Sequence, residues 1–151
     1  MSCLANHLLT GSSVAQTLFL LDTSICSYAI MGHPHVFSRL DALDRDSWVI
    51  SSVVVAELQF GLEKGQLTPR SHEALRKFLG SAAAVPFDLA AAKEAATVRG
   101  ELEALGKPSG AVDQMIAGHA RVLGATLVSA NTKHFRHVPG LSLKNWFEED
   151  H

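Results

Sequence analysis

A short apolar segment that ends at a carboxylate constrains this chain more than any other feature. Leu18 to Leu21 are consecutive apolar residues, and Asp22 follows them directly. Such a run is typical of a short strand that is buried on both faces of a parallel sheet. Ligands of open parallel α/β sheets bind at the carboxyl ends of the strands. We therefore predict that Asp22 is the first ligand of a divalent metal ion.

The rest of the chain repeats the alternation of strand and helix. Three more strands are predicted, at Trp48–Ile50, Val85–Phe87 and Thr126–Val128, and a brief segment at Leu141–Leu143 follows the turn at Pro139-Gly140. Apolar periodicity and capping residues predict helices after Thr23 or Ser24, Pro34, Ser51 or Ser52, Pro69, Asp88 and Ala111, and a short terminal helix around Trp146 and Phe147. The second helix is expected to bury Val36, Phe37, Leu40 and Leu43. This pattern indicates an α/β fold with a mainly parallel sheet covered on both sides.

Size and composition fit an ordinary globular domain. A chain of 151 residues buries about 68–70% of its unfolded surface, which is enough for one core. No apolar run approaches the roughly 20 residues that cross a bilayer, so no membrane insertion is expected. Cys3 and Cys26 show no metal-type spacing, which favours a reducing cytoplasm. Residues 1–17 contain no Lys or Arg and are expected to form a flexible extension, with the folded domain at 18–151.

The net charge of −2 lacks the basic excess that is typical of nucleic-acid-binding proteins. It does not exclude a polyanionic substrate, because a site that binds phosphate through metal ions is itself acidic.

Three acidic residues stand apart, and none of the three has a basic residue three or four positions away. Asp22 follows the first strand, Glu57 lies within an apolar helix, and Asp113 lies between Val112 and Met115. Other acids have simple partners, since Glu73 can pair with Arg76 or Lys77, and Glu103 with Arg99 or Lys107. An ionised carboxylate among apolar residues is costly unless it gains hydrogen bonds, a charge partner or a metal.

Each of the three acids also has an ordinary structural explanation. Asp22 could cap a helix, Glu57 could face water, and Asp113 could favour a helix N-terminus. Taken together in an α/β pattern, they favour a shared site for Mg²⁺ or Mn²⁺, which prefer oxygen ligands. Such ions serve phosphodiester hydrolysis without a nucleophilic side chain.

The segment after the Thr126–Val128 strand is the expected place for a fourth acid, and it contains none. It offers Ser129, Asn131 and His134 instead. The Asn131 carbonyl could bind a metal or position a water. His134 could ligate a metal, carry a proton or lie on the surface.

Four segments resemble the signature blocks of VapC-type toxins, which are PIN-domain ribonucleases. These segments are Leu20–Thr23, Ser51–Gly61, Asp113–Ala120 and Leu127–Phe135, within a resemblance that runs from about Leu18 to Trp146. The resemblance implies an α/β/α sandwich, Mg²⁺-dependent or Mn²⁺-dependent RNA cleavage, a homodimer and neutralisation by a VapB-type antitoxin. It implies that Asp22, Glu57 and Asp113 are the catalytic and metal-binding acids, supported by Thr23, Ser129, Asn131 and His134. The Asp113–Ala120 block is similar to that of toxins that cut initiator tRNA in its anticodon loop.

The chain departs from the family pattern at two positions. Ser24 replaces a common asparagine, and His134 stands where close relatives often have Glu. The second change leaves open a degenerate PIN domain that binds RNA or a partner without cutting. A haloacid dehalogenase phosphatase would need an Asp at position 24, and a receiver module would need an acidic pair beside Asp22, so neither is favoured.

Overall fold

The computed structural model describes residues 16–147. Five strands form one sheet in which every pairing is parallel, in the order β3-β2-β1-β4-β5. The strands are β1 Phe19–Leu21, β2 Trp48–Ser51, β3 Ala84–Val85, β4 Thr126–Val128 and β5 Ser142–Lys144. With its helices this sheet forms the predicted three-layer α/β/α sandwich.

Six α-helices of the described residues connect the strands. They are α1 Thr23–Ile30, α2 Pro34–Ala42, α3 Ser52–Glu63, α4 Pro69–Ser81, α5 Leu89–Ala104 and α6 Ala111–Leu123. Two 3₁₀ turns lie at Arg45–Ser47 and Thr132–His134. In the part of the chain at 16–147, no helix combines the length and the apolar character that a bilayer crossing requires.

The strand order changes direction at β1. The chain runs outward from β1 through β2 to β3, and it then returns through α5 and α6 to place β4 on the other side of β1. Ligands of doubly wound sheets bind in the crevice at such a switch point, outside the carboxyl ends of the strands. Asp22 follows β1 and Ser129 follows β4, so both residues lie at that crevice.

The core forms around the central strands, as the apolar runs predict. Leu20, Leu21, Leu127 and Val128 have no accessible surface, which confirms that β1 and β4 are buried on both faces. Cys26 is a free cysteine buried in α1, where it packs as an apolar residue. The predicted starts of α2, α4 and α6 are confirmed at Pro34, Pro69 and Ala111.

Helices α5 and α6 pack with their backbones unusually close. A β-carbon added to Gly118 of α6 would lie 2.6 Å from the backbone nitrogen of Ala95 in α5. Real β-carbons do not approach backbone atoms so closely, so the contact requires a glycine at this position. Arg121 reinforces the same pair of helices, with Nη2 at 2.7 Å from Glu94 and Nη1 at 2.6 Å from Glu101.

Several local predictions were wrong. The first helix is capped by Asp22 and not by Thr23 or Ser24, because the Asp22 carboxylate accepts the Ile25 backbone N–H at 3.1 Å. Phe37 lies 56% exposed on α2, although the adjacent Val36 is fully buried. A period of 3.6 residues allows Phe37 to lie at the edge of the apolar stripe, and no element within residues 16–147 covers that edge.

The ends of two other elements also differ from the prediction. Strand β3 stops at Val85, before Pro86, because proline cannot donate to the strand ladder. It lies at the edge of the sheet, as expected. Trp146 and Phe147 lie in a turn after β5 instead of a terminal helix, with the Trp146 ring buried against Phe19. Residues 1–15 of the predicted extension lie outside the described residues.

Candidate active site

Asp22 is fixed by hydrogen bonds at the carboxyl end of β1. Its Oδ1 accepts from the Ser24 hydroxyl at 2.5 Å and from the Ile25 N–H at 3.1 Å, and its Oδ2 accepts from the Ser129 hydroxyl at 2.6 Å. The residue is only 5% exposed. Asp22 therefore caps α1 and at the same time lies at the switch point of the sheet, so the capping and site interpretations are compatible.

Two serine hydroxyls join this carboxylate to the segment after β4. The Ser129 hydroxyl accepts the Asn131 N–H at 2.8 Å, and the Ser24 hydroxyl accepts the Ala130 N–H at 3.0 Å. From the sequence, Ser24 was considered only as a helix cap and as a departure from a family pattern, and its contribution to the site was missed. Its hydroxyl two residues after Asp22 was the available signal, because serine side chains commonly bond to nearby groups in such turns.

Glu57 is positioned by α3 and by the residue after Asp22. The Thr23 hydroxyl donates a short hydrogen bond to Glu57 Oε1. The helix starts at a fixed point because Ser51 Oγ accepts the Val53 N–H at 3.1 Å and lies 2.8 Å from Nδ1 of the buried His119. Burial lowers the pKa of His119, so a neutral ring that accepts from the serine hydroxyl is favoured. Glu57 itself is exposed at the edge of the site.

Asp113 projects from the first turn of α6 with far fewer contacts. Its Oδ2 lies 3.4 Å from Nδ1 of His134, and the two side chains are 28% and 47% exposed. His134 belongs to the 3₁₀ turn after β4, so the same segment contacts Asp22 through Ser129 and Asp113 through His134. The Asn131 side chain is exposed and makes no hydrogen bond to a described residue.

Two of the three predicted acids, Asp22 and Glu57, act electrostatically on the third, Asp113. Burial raises the pKa of Asp22 above its usual value, although hydrogen bonds from Ser129 and Ser24 oppose the shift. Burial also raises the pKa of Asp113, and the charges of Asp22 and Glu57 raise it further, while His134 lowers it. No Lys or Arg among the described residues contributes to either shift.

The donor atoms at this crevice are carboxylate oxygens, the type of ligand that a hard divalent cation prefers. Asp22 and Glu57 both raise the pKa of Asp113, and no Lys or Arg of the described residues opposes that shift, an arrangement that a Mg²⁺ or Mn²⁺ ion would stabilise. Within residues 16–147, no three His, Cys, Asp or Glu side chains are grouped closely enough to ligate one ion together. The three acids would therefore have to move their side chains to share an ion.

Comparison with known proteins identifies the family of this fold. The PIN domain family matches residues 19–141. The tRNA(fMet)-specific endonuclease VapC of Shigella flexneri is 38% identical over 128 residues, which cover 85% of this chain and 97% of that protein. The chain belongs to the VapC group of PIN-domain proteins. Ribonuclease VapC2 of Rickettsia felis is a second VapC relative, 37% identical over 131 residues that cover 85% of this chain and 98% of that protein.

Solved VapC structures share this architecture. VapBC2 of Rickettsia felis, bound to a promoter DNA fragment, matches with a TM-score of 0.78 and 36% identity, over 86% of this chain and 99% of that chain. DNA-bound VapBC of Salmonella typhimurium matches with a TM-score of 0.78 and 34% identity, over 86% and 98% of the two chains. The predicted VapC resemblance and PIN-like fold are therefore confirmed.

Proposed function

We propose that this VapC-group chain is a metal-dependent endoribonuclease toxin that hydrolyses phosphodiester bonds of RNA, with initiator tRNA as its substrate. The observation that carries the proposal is that Asp22, at the switch point of the sheet, and Glu57 both act electrostatically on Asp113. The names of the VapC relatives from Shigella flexneri and Rickettsia felis support ribonuclease activity, and the first of these names supports initiator tRNA.

Each acid has a distinct role in this proposal. Asp22 is the fixed ligand of Mg²⁺ or Mn²⁺, since three hydrogen bonds hold its carboxylate in one orientation. Asp113 and Glu57 complete the ligand set, and Thr23 orients Glu57. A bound ion of this kind supplies a Lewis acid for the phosphodiester and lowers the pKa of the attacking water. Ser129 holds Asp22 in place, His134 positions Asp113, and Asn131 would help to hold the ion or its water.

Cleavage of total tRNA tests the proposal directly. We expect discrete fragments in Mg²⁺ or Mn²⁺ and none in chelator. Loss of a metal ligand that contributes several kcal/mol should reduce cleavage about 10³-fold in Asp22→Asn and Asp113→Asn. Asp41→Asn, which changes an exposed acid on α2, is the matched control and should cleave normally. Equal cleavage by the parent and both site variants would refute the metal-site proposal.

Metal binding can be measured without RNA. Mg²⁺ or Mn²⁺ should raise the melting temperature of the parent and of Asp41→Asn, because an ion that binds only the folded state stabilises it. The same titration should leave the melting temperature of Asp22→Asn unchanged.

A second candidate function is a PIN domain that binds RNA or a partner without cutting it. The position of His134, 3.4 Å from Asp113, favours this candidate because a histidine there contributes no fourth carboxylate. Tight tRNA binding with no cleavage in either metal would select it over the nuclease.

We also propose a VapB-type antitoxin as partner and a homodimer as the assembly. The similar VapBC complexes of Rickettsia felis and Salmonella typhimurium support the antitoxin. Exposed apolar side chains on three helices, Met31 after α1, Phe37 on α2 and Phe60 on α3, are suited to protein contacts.

A further inference from the structure

A cavity of about 310 Å³ lies beside Asp113. Two separate chain segments form it: the loop Lys107–Gly110 between α5 and α6, and the 3₁₀ turn Thr132–His134 with the residues after it. Water occupies roughly 30 Å³ per molecule, so the cavity has room for a phosphodiester group and part of its sugar. It opens directly onto the proposed active site, since Asp113 is part of its wall.

The cavity concentrates positive charge in an acidic protein. Lys107, Lys133, His134 and His137 line it, and Asp113 is the only acid among the described lining residues. The whole chain carries a net charge of −2. The charge of the cavity lining is therefore opposite in sign to the charge of the neighbouring acids Asp22 and Glu57.

Neither lysine is used to stabilise the fold. Lys107 lies four residues after Glu103 and was expected to pair with it, but Glu103 accepts from Arg99 at 3.1 Å instead. Neither Lys107 nor Lys133 makes an ion pair to a residue in the described part of the chain, and both are exposed. Both ammonium groups thus remain available to an anion.

The loop that carries Lys107 is held against α6. The Gln114 side-chain amide donates to the Ser109 carbonyl at 2.9 Å, and the Gln114 N–H donates to the Gly110 carbonyl at 3.0 Å. Gln114 is 8% exposed, so this bond is protected from water. The Ser109 hydroxyl has no hydrogen-bond partner among the described residues, which leaves an unused donor on the same loop.

We propose that this cavity binds a backbone phosphate of the RNA next to the phosphodiester that is cut, through Lys107 and Lys133. The inference rests on the proposed nuclease function and adds a substrate-positioning site to it. Lysine ammonium groups bind phosphates as point charges and read no base, so the site orients the strand without selecting its sequence. His137 at the same cavity can add a hydrogen bond to the phosphate.

Affinity and cleavage measured on the same preparations test this inference. The affinity of labelled total tRNA is measured by fluorescence anisotropy in chelator over a series of salt concentrations, and cleavage is measured in Mg²⁺. Lys107→Gln and Lys133→Gln should each weaken tRNA binding about fivefold and lower the slope of log affinity against log salt by about 1. In Mg²⁺ both variants should raise KM and leave kcat close to that of the parent.

Lys93→Gln is the matched control, because Lys93 is an exposed lysine of α5 that does not line the cavity. If the Lys107→Gln, Lys133→Gln double variant keeps the affinity, salt slope and KM of the parent, the phosphate site is overturned. Cleavage by the parent in the same experiment would leave the nuclease proposal in place. A parent that neither binds nor cuts tRNA would overturn both proposals. Equal losses in the control and the cavity variants would also overturn the site, because the effect would then reflect overall charge.

Discussion

The two sides of the crevice hold their carboxylates in very different ways. Asp22 is 5% exposed and accepts three hydrogen bonds from Ser24, Ile25 and Ser129. The Asp113 side chain is 28% exposed and has a single 3.4 Å contact, with His134. One acid is fixed before any ligand arrives, whereas the other can still adjust. Under the proposed function, we expect Asp22 to set the position of a bound ion and Asp113 to move toward it.

The origin of the difference lies in the elements that carry the two residues. Asp22 joins β1 to α1, so the sheet and a helix N-terminus both determine its position. Asp113 depends on α6 alone, and the close contact of Gly118 with α5 sets where α6 lies. The Asp113 side of the site should therefore respond to changes in helix packing, and the Asp22 side should not.

Gly118→Ala is expected to give the largest change in stability. The new methyl group would lie 2.6 Å from the Ala95 backbone nitrogen, so α6 must shift away from α5. Overpacking of this kind costs about 1–3 kcal/mol in the free energy of unfolding, which exceeds the gain of about 1 kcal/mol from replacing a helical glycine. Urea denaturation measures the loss, and Mg²⁺ titration should show weaker metal binding because Asp113 moves with α6.

Gly100→Ala provides the control for that variant. Gly100 lies in α5, and a β-carbon there would have no atom within 4 Å. The substitution should stabilise the protein by about 0.5–1 kcal/mol, because only the helix propensity changes. If both glycine variants gained stability, the close contact between α5 and α6 would not exist in solution.

The sequence was sufficient for the features that follow from local rules. A buried strand that ends in Asp22, a serine cap at Ser51 and a glycine at position 124 with φ of 64° are each determined by a few neighbouring residues. The parallel sheet followed from the alternation of strand and helix. The position of Asp22 at the carboxyl end of β1 followed from these features and from the rule for strand ends.

Tertiary contacts determined three features that the sequence alone left open or predicted wrongly. Three adjacent residues, Asp22, Thr23 and Ser24, can all cap a helix, and only the folded chain shows that Thr23 turns to Glu57 while Ser24 bonds to Asp22. Lys107 has an acid at helical spacing, but the helix ends at Ala104 and the lysine lines the cavity instead. Phe37 follows the helical period, yet no element of the described part of the chain covers it.

Ser129→Ala and His134→Ala compare the two sides of the site directly. Removing the Ser129 hydroxyl leaves Asp22 Oδ2 and the Asn131 N–H without their partners, which should cost about 1–2 kcal/mol of stability. His134→Ala removes only a half-exposed contact and should cost less than about 0.5 kcal/mol. Thermal denaturation in chelator measures both, with the exposed Ser142→Ala as control. Equal losses of stability in Ser129→Ala and His134→Ala would contradict the conclusion that Asp22 is held more firmly than Asp113.

The pH dependence of stability should give the smallest effect and the most specific one. Burial raises the folded-state pKa of Asp22 above the value of about 3.9 that an unfolded aspartate has. Between those two values the folded protein binds more protons than the unfolded chain, so the free energy of unfolding falls as the pH rises through the window. Below the unfolded value and above the folded value the contribution of Asp22 does not change.

Asp22→Asn removes this contribution, so in chelator the variant should become more stable relative to the parent as the pH rises from about 4. The amide oxygen of the substituted side chain can still accept the Ile25 N–H, so the cap is kept. Asp113→Asn should show the same sign with a smaller amplitude, because Asp113 is less buried and His134 opposes its shift. Urea denaturation at a series of pH values measures both differences. A larger pH-dependent difference for Asp113 than for Asp22 would mean that Asp113, and not Asp22, is the more constrained carboxylate of the metal-free site.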